Sequence, residues 1–154
     1  LAQAGLLPAG RQVSGSKIMK QDALFCVGQK AFINKEGKVL ILHDPVEGLD
    51  FLGGKVQEGE TDLHEALKRE VREETGLEIE IVEPFFTWYN EFPANHRNAG
   101  KKVFLVGFRC EYISGEVKLS DEHDEYRWIG KNDYKSTNDG TDYFKVLEKY
   151  FTTK

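Results

Sequence analysis

Apolar runs separated by turn signals divide the chain into short segments. Ala23 to Ile33 (Ala-Leu-Phe-Cys-Val-Gly-Gln-Lys-Ala-Phe-Ile) reads as a strand interrupted near Gly28. Asn34-Lys35-Glu36-Gly37 is a turn signal, and Val39 to Leu42 returns as a second strand. His43 to Gly48 is loop, and Leu49 to Leu52 is a short extended approach to the glycine pair Gly53-Gly54. Leu63, Ala66, Leu67 and Val71 then recur at three- and four-residue spacing, which is the stripe of an amphipathic helix. Glu78 to Val82 is a strand that Pro84 breaks, and Phe85 to Tyr89 continues extended. Asn90 to Lys102 is a long polar loop containing Pro93, His96, Arg97 and Gly100. Val103 to Tyr112 is the strongest strand, turned by Ser114-Gly115, with Glu116 to Leu119 a candidate short partner. Glu125 to Ile129 is another strand, and Tyr143 to Phe151 has the spacing of a closing helix. Strands interleaved with two main helices predict an α/β domain. Residues 19–154 are expected to form it alone, with no internal repeat or linker.

Residues 1–18 hold no sustained period and lack the charged start and long apolar centre of a signal peptide. Met19 is the sole methionine and precedes the first strand, so the segment before it is expected to be an expression leader or flexible tail. At 154 residues the chain is long enough for one sizeable core. A net charge of −5, with 31% charged residues, argues for solubility and against a duplex-binding surface. Cys26 and Cys110 stand alone in apolar runs without metal-ligand spacing, which suggests buried, reduced thiols and the cytoplasm. No run reaches the ~18 apolar residues of a membrane span.

The chemistry is concentrated between Gly53 and Leu77. Asp62 with Glu65 three residues later has the form of a capping box, and Gly76 fits the left-handed position that closes a helix. Glu70, Glu73 and Glu74 fall at i, i+3 and i+4, so their carboxylates share one face off the apolar stripe. Like charges at that spacing disfavour an isolated helix by roughly 0.2–0.5 kcal/mol per pair. A hard divalent cation removes the conflict, because it takes several oxygens from one side. Two readings follow: a magnesium or manganese site, or a solvated acidic face. The glycine turn ahead of the helix favours the first.

This stretch resembles the Nudix box, G-x5-E-x7-R-E-U-x-E-E-x-G-U, with U a bulky aliphatic. Gly54, Glu60, Arg69, Glu70, Val71, Glu73, Glu74, Gly76 and Leu77 occupy its fixed positions. Eight residues separate Glu60 from Arg69, where the pattern has seven, and Leu52 stands where many members carry proline. The extra residue is placed ahead of the helix, around Glu60–Thr61. The resemblance implies a mixed β-sheet sandwiched between α-helices, and a Mg²⁺ or Mn²⁺ cofactor held by Glu70, Glu73, Glu74 and the Gly53 carbonyl. It also implies hydrolysis of a diphosphate linkage in a small nucleotide substrate. Nucleoside triphosphates or dinucleoside polyphosphates rank above ADP-ribose and nucleotide sugars. A non-catalytic nucleotide sensor is the rival of another class, and the chain could act as a monomer or a homodimer. A calcium-binding helix would need a loop of alternating Asp and Asn, which is lacking.

Outside the box each candidate has two readings. Arg69 orients the glutamates or meets a phosphate. Leu119 to Trp128 (Leu-Ser-Asp-Glu-His-Asp-Glu-Tyr-Arg-Trp) resembles a stretch recurring in Nudix nucleotide hydrolases, including diadenosine tetraphosphate hydrolases. Within it Glu122 is a further ligand or the general base, or part of a charged surface turn. His123 binds substrate or steadies that turn. Phe51, Trp88, Tyr89 and Phe92 could stack on a base or pack in the core. Lys55 could meet a phosphate or be solvated.

Overall fold

The computed structural model describes residues 21–92, 94–96 and 98–153, so the expected leader over 1–18, Met19, Pro93 and Arg97 lie outside the described residues. One mixed sheet contains β1 (Cys26–Lys35), β2 (Lys38–Asp44), β3 (Gly48–Asp50), β4 (Glu78–Glu91), β5 (Lys102–Ser114) and β6 (Glu125–Gly130). The order is β3-β2-β1-β5-β4, with β6 paired to β2. β1 and β5 run parallel, and the other pairings are antiparallel. Helix α1 (Leu63–Thr75) connects β3 to β4. A 3₁₀ turn (Tyr134–Thr137) and helix α2 (Asp142–Thr152) follow β6.

The two-residue period of the strands sorts the core into two layers. Ala31 and Ile33 of β1, with Leu40 and Leu42 of β2, pack with Leu67 and Val71 of α1. Phe32, Val39 and Ile41 point the other way, to Phe51 and to Phe144, Val146 and Leu147 of α2. The sheet is therefore sandwiched between the helices. Leu67 and Val71 are fully buried, each contributing roughly 1.5–3 kcal/mol by removal from water. Leu63, expected on that stripe, is the first residue of the helix and is 44% exposed.

Several expectations are corrected. β1 is not interrupted at Gly28, and it pairs with β5 from Cys26 to Asn34. Pro84 does not end its strand. β4 is an edge strand, where a missing N–H is tolerated, and its register shifts on either side of Pro84. Glu116–Leu119 forms no strand. Instead the Lys118 and Ser120 N–H groups donate to the Thr75 and Glu74 carbonyls at the end of α1, at 3.0 and 3.1 Å. Cys110 is buried, and burial pushes its thiol up to about 12, but Cys26 at the first position of β1 is exposed. No helix among the described residues is long and apolar enough to cross a membrane.

Candidate active site

β1 and β2 pair only beside their hairpin turn, at Asn34↔Val39 and Lys35↔Lys38. In the gap that opens, the strip Leu52–Val56 bonds to β1: Gln29 N–H to Gly54 O at 2.9 Å, Ala31 N–H to Leu52 O at 2.8 Å, and Val56 N–H to Val27 O at 2.9 Å. Gly53 has φ +129°, and a Cβ there would stand 2.1 Å from the Gln29 carbonyl oxygen. Only glycine fits this approach. A Cβ on Gly54 would meet the Glu70 carboxylate at 3.0–3.2 Å.

α1 is set by its caps. Asp62 accepts from the His64 and Glu65 N–H groups, and Gly76 at φ 74° donates its N–H to Arg72 O. The helix phase is therefore fixed from Asp62 onward, after the Glu60–Thr61 stretch where the extra residue is expected. Glu60 is not displaced from its network. Its Oε1 accepts from Arg69 Nε at 2.9 Å and Nη2 at 2.7 Å, while its Oε2 accepts from Gln57 N–H. Arg69 also reaches Glu70 at 2.8 Å and Glu73 at 2.7 Å. These bonds raise the Arg69 pKa, and they brace Glu60, Glu70 and Glu73 but not Glu74.

The strip, the helix and the loop before β6 enclose a cleft of about 460 Å³. Gly53, Gly54, Lys55, Glu70, Glu74, Glu122 and His123 all line it. Glu73 does not; it is paired with Arg69, and its side chain is 58% exposed. Among the described residues no three acidic, histidine or cysteine side chains converge on one point. Glu74 is buried, its Oε2 has no hydrogen-bond partner, and burial pushes its carboxyl up to about 7 against the pull of Lys30. An orphaned carboxylate oxygen in a cleft, with Glu70 one turn earlier and a glycine turn alongside, is a donor set that suits a hard divalent cation.

Two cleft residues escaped the sequence reading. Lys30 Nζ donates to Asp50 Oδ1 at 2.7 Å and to Phe51 O at 2.8 Å, and His123 Nε2 meets Asp50 Oδ2 at 3.1 Å. Burial alone would raise Asp50, but Lys30, His123 and the Phe51 N–H hold it down at about 2. Asp50 in turn raises the His123 pKa. A lysine in a strand carries no local sign of a partner twenty residues away. Among the aromatic candidates, Phe51 is fully buried against Phe32, with centroids 4.0 Å apart, and offers no face to a ligand. Trp88 packs on Phe86 and Tyr143 outside the cleft wall. Tyr89 is exposed, sits edge-on to Phe25, and borders an adjoining depression that shares Asn90 and Phe92 with the cleft. The aromatic rings that do line the cleft are Phe92 and Tyr143, beside Asn90 and Asn98. Lys55 lines it too, with Nζ 3.2 Å from Asn98 Oδ1.

Residues 29–150 match the family model of the NUDIX domain. The chain belongs to the Nudix family. Among curated Nudix relatives, the nucleoside triphosphatase NudI of Klebsiella pneumoniae is 31% identical over 92 residues, covering 55% of this chain and 64% of the relative. The asymmetrical bis(5'-nucleosyl)-tetraphosphatase of Mus musculus is 40% identical over 80 residues, covering 50% and 52%. The chain thus spans less than two thirds of the length of either. A solved MutT protein from Methanosarcina mazei Go1 superposes with a TM-score of 0.69 at 29% identity, covering 86% of this chain and 96% of that one.

Proposed function

We propose that this Nudix domain hydrolyses a phosphoanhydride bond of a nucleoside triphosphate or dinucleoside polyphosphate, with Mg²⁺ or Mn²⁺ at the acidic face of α1. The observation that carries the reading is the unpartnered Glu74 Oε2, which shares a cleft with Glu70 and the glycine turn. Glu70, Glu74 and the Gly53 carbonyl would hold the ion, and Glu73 would join them on release from Arg69. When bound, it supplies neutralisation of phosphate charge and activation of water. The names of the two relatives, a nucleoside triphosphatase and a bis(5'-nucleosyl)-tetraphosphatase, favour these substrate classes.

The chain's own groups account for the remaining tasks. Arg69 keeps Glu70 in a fixed rotamer, so that little ordering of it is left to the moment of reaction. Lys55, on the wall beside the glycine pair, presents a cation to the phosphates. Glu122, from the loop before β6, accepts the proton that attacking water loses. Phe92 offers a ring against which a base stacks. The test is a hydrolysis screen over nucleoside triphosphates and dinucleoside polyphosphates with Mg²⁺, Mn²⁺ or chelator. The expected result is turnover that the chelator abolishes. Nucleotide binding without turnover in either metal would instead make the domain a sensor and overturn the proposal.

A further inference from the structure

Between Asp121 and Trp128 the chain before and into β6 is exposed or partly exposed at every position except one. That one is His123, which is 8% exposed. It is the inward pin of a turn in which the preceding residue, Glu122, is exposed and lines the cleft. Three backbone bonds frame the turn: Ser120 N–H to Glu74 O at 3.1 Å, His123 N–H to Ser120 O at 3.5 Å, and Asp124 N–H to His43 O at 3.2 Å. Only the bond within the turn is long; the other two join its ends to α1 and β2, where Asp124 Oδ1 also meets His43 Nδ1 at 2.7 Å. The side-chain bond that holds its centre is His123 Nε2 to Asp50 Oδ2. A carboxylate can only accept, so Nε2 carries the proton and donates it.

Asp50 is well fixed for this task. Its other oxygen, Oδ1, accepts from Lys30 Nζ and from the Phe51 N–H, each at 2.7 Å. Lys30 is anchored in β1 and bonded to the Phe51 carbonyl, and it lies in a pairing with β5 that runs the length of the strand. A chain of charge-assisted contacts therefore runs from the central sheet through β3 to the turn. We propose that Asp50 is a positioning residue, which acts through His123 to fix the turn Ser120–Asp124 and with it the Glu122 carboxylate on the cleft wall. The role given to Glu122 rests on the hydrolase reading above, whereas the tether itself does not.

The test separates the two by pairing hydrogen exchange with kinetics. Asp50→Leu removes the acceptor but strips a buried lysine of its partner, so His123→Leu is the second variant and leaves the Lys30–Asp50 pair intact. In both, amides of residues 120–124 should exchange about tenfold faster or more, the scale of losing one charge-assisted hydrogen bond, with α1 unchanged. His123→Gln, whose side-chain amide can still donate to Asp50, should restore most of the protection. In steady-state assays His123→Leu should lower kcat about tenfold or more with KM within about twofold, as expected when a transition-state contact alone is lost. In a Glu122→Gln background the same change should cost little further, because both substitutions remove one contribution. Unchanged exchange at 120–124, or a loss of protection spread evenly over the domain, would overturn the tether. Losses that multiply in the double variant, or a Glu122→Gln enzyme with normal kcat, would overturn the action through Glu122. If the wild-type protein hydrolyses no nucleotide, the hydrolase reading falls, and the exchange arm still decides the tether.

Discussion

Replacing Gly53 by alanine should unseat the glycine turn from the sheet. At φ +129° the backbone lies in a region that L-residues rarely adopt, and strain there is on the order of 1–3 kcal/mol. The new Cβ would also stand 2.1 Å from the Gln29 carbonyl, a backbone atom that cannot swing aside. Relief requires Leu52–Val56 to move off β1, which weakens one or two of its three backbone bonds at roughly 0.5–1.5 kcal/mol each. The sum is about 2–5 kcal/mol, and for a chain of this length it should lower Tm by roughly 5–15 °C. Gly54→Ala is the contrast. The atoms nearest its Cβ would be those of the Glu70 carboxylate, the far end of a flexible side chain, so Tm should shift by no more than a few degrees. Turnover should still fall by on the order of 10²-fold, because a glutamate displaced by about 1 Å no longer meets its partner. Calorimetry and a fixed-substrate assay on both variants read the pattern. A Gly53→Ala protein melting within about 2 °C of wild type would refute the packing argument.

Glu74→Gln keeps the volume and removes a charge that burial disfavours. Stability in chelator should hold or rise, whereas turnover at saturating Mg²⁺ should fall by ~10²-fold or more, and near-normal turnover would contradict the ligand assignment. Asp50 is held at about 2 in the folded chain, against 3.8 ordinarily, so its contribution is complete above about pH 4 and is lost as pH falls towards 2. The stability gap between wild type and Asp50→Asn in urea should therefore shrink by about 2 kcal/mol between pH 5 and pH 2, and a constant gap would contradict the pairing. Phe92→Ala should raise KM by roughly five- to 150-fold in a base-dependent way, with little change in kcat, while Tyr89→Ala should leave KM unmoved. The reverse order would return base recognition to the outer ring.

The local signals were legible. Asp62, Gly76 and the Leu67–Val71 stripe each act within one or two helical turns, and α1 stands where they place it. The acidic spacing likewise brought Glu70 and Glu74 to the cleft, while Glu73, bonded to Arg69, is not part of its lining. What stayed hidden depends on contacts between distant segments. Asp50 meets His123 across 73 residues, and nothing near either one announces the other. Glu116–Leu119 has the composition of a strand, yet Lys118 within it and Ser120 just beyond donate to the end of α1. Whether Phe51 or Phe92 faces the cleft depends on which sheet face each ring takes, and aromatic content alone does not reveal that. Cys26 shows the same limit, since an apolar run can begin outside the core.

The central claim is that water attacks phosphorus at this cleft when a divalent ion is present. Hydrolysis of a nucleoside triphosphate and a dinucleoside tetraphosphate in ¹⁸O-labelled water with Mg²⁺, followed by mass analysis of both products, tests it most directly. The account predicts one ¹⁸O in a phosphate group of one product for each bond cleaved, with no label in chelator. Cleaved products whose phosphates carry no label, or label that enters equally without a divalent ion, would contradict it.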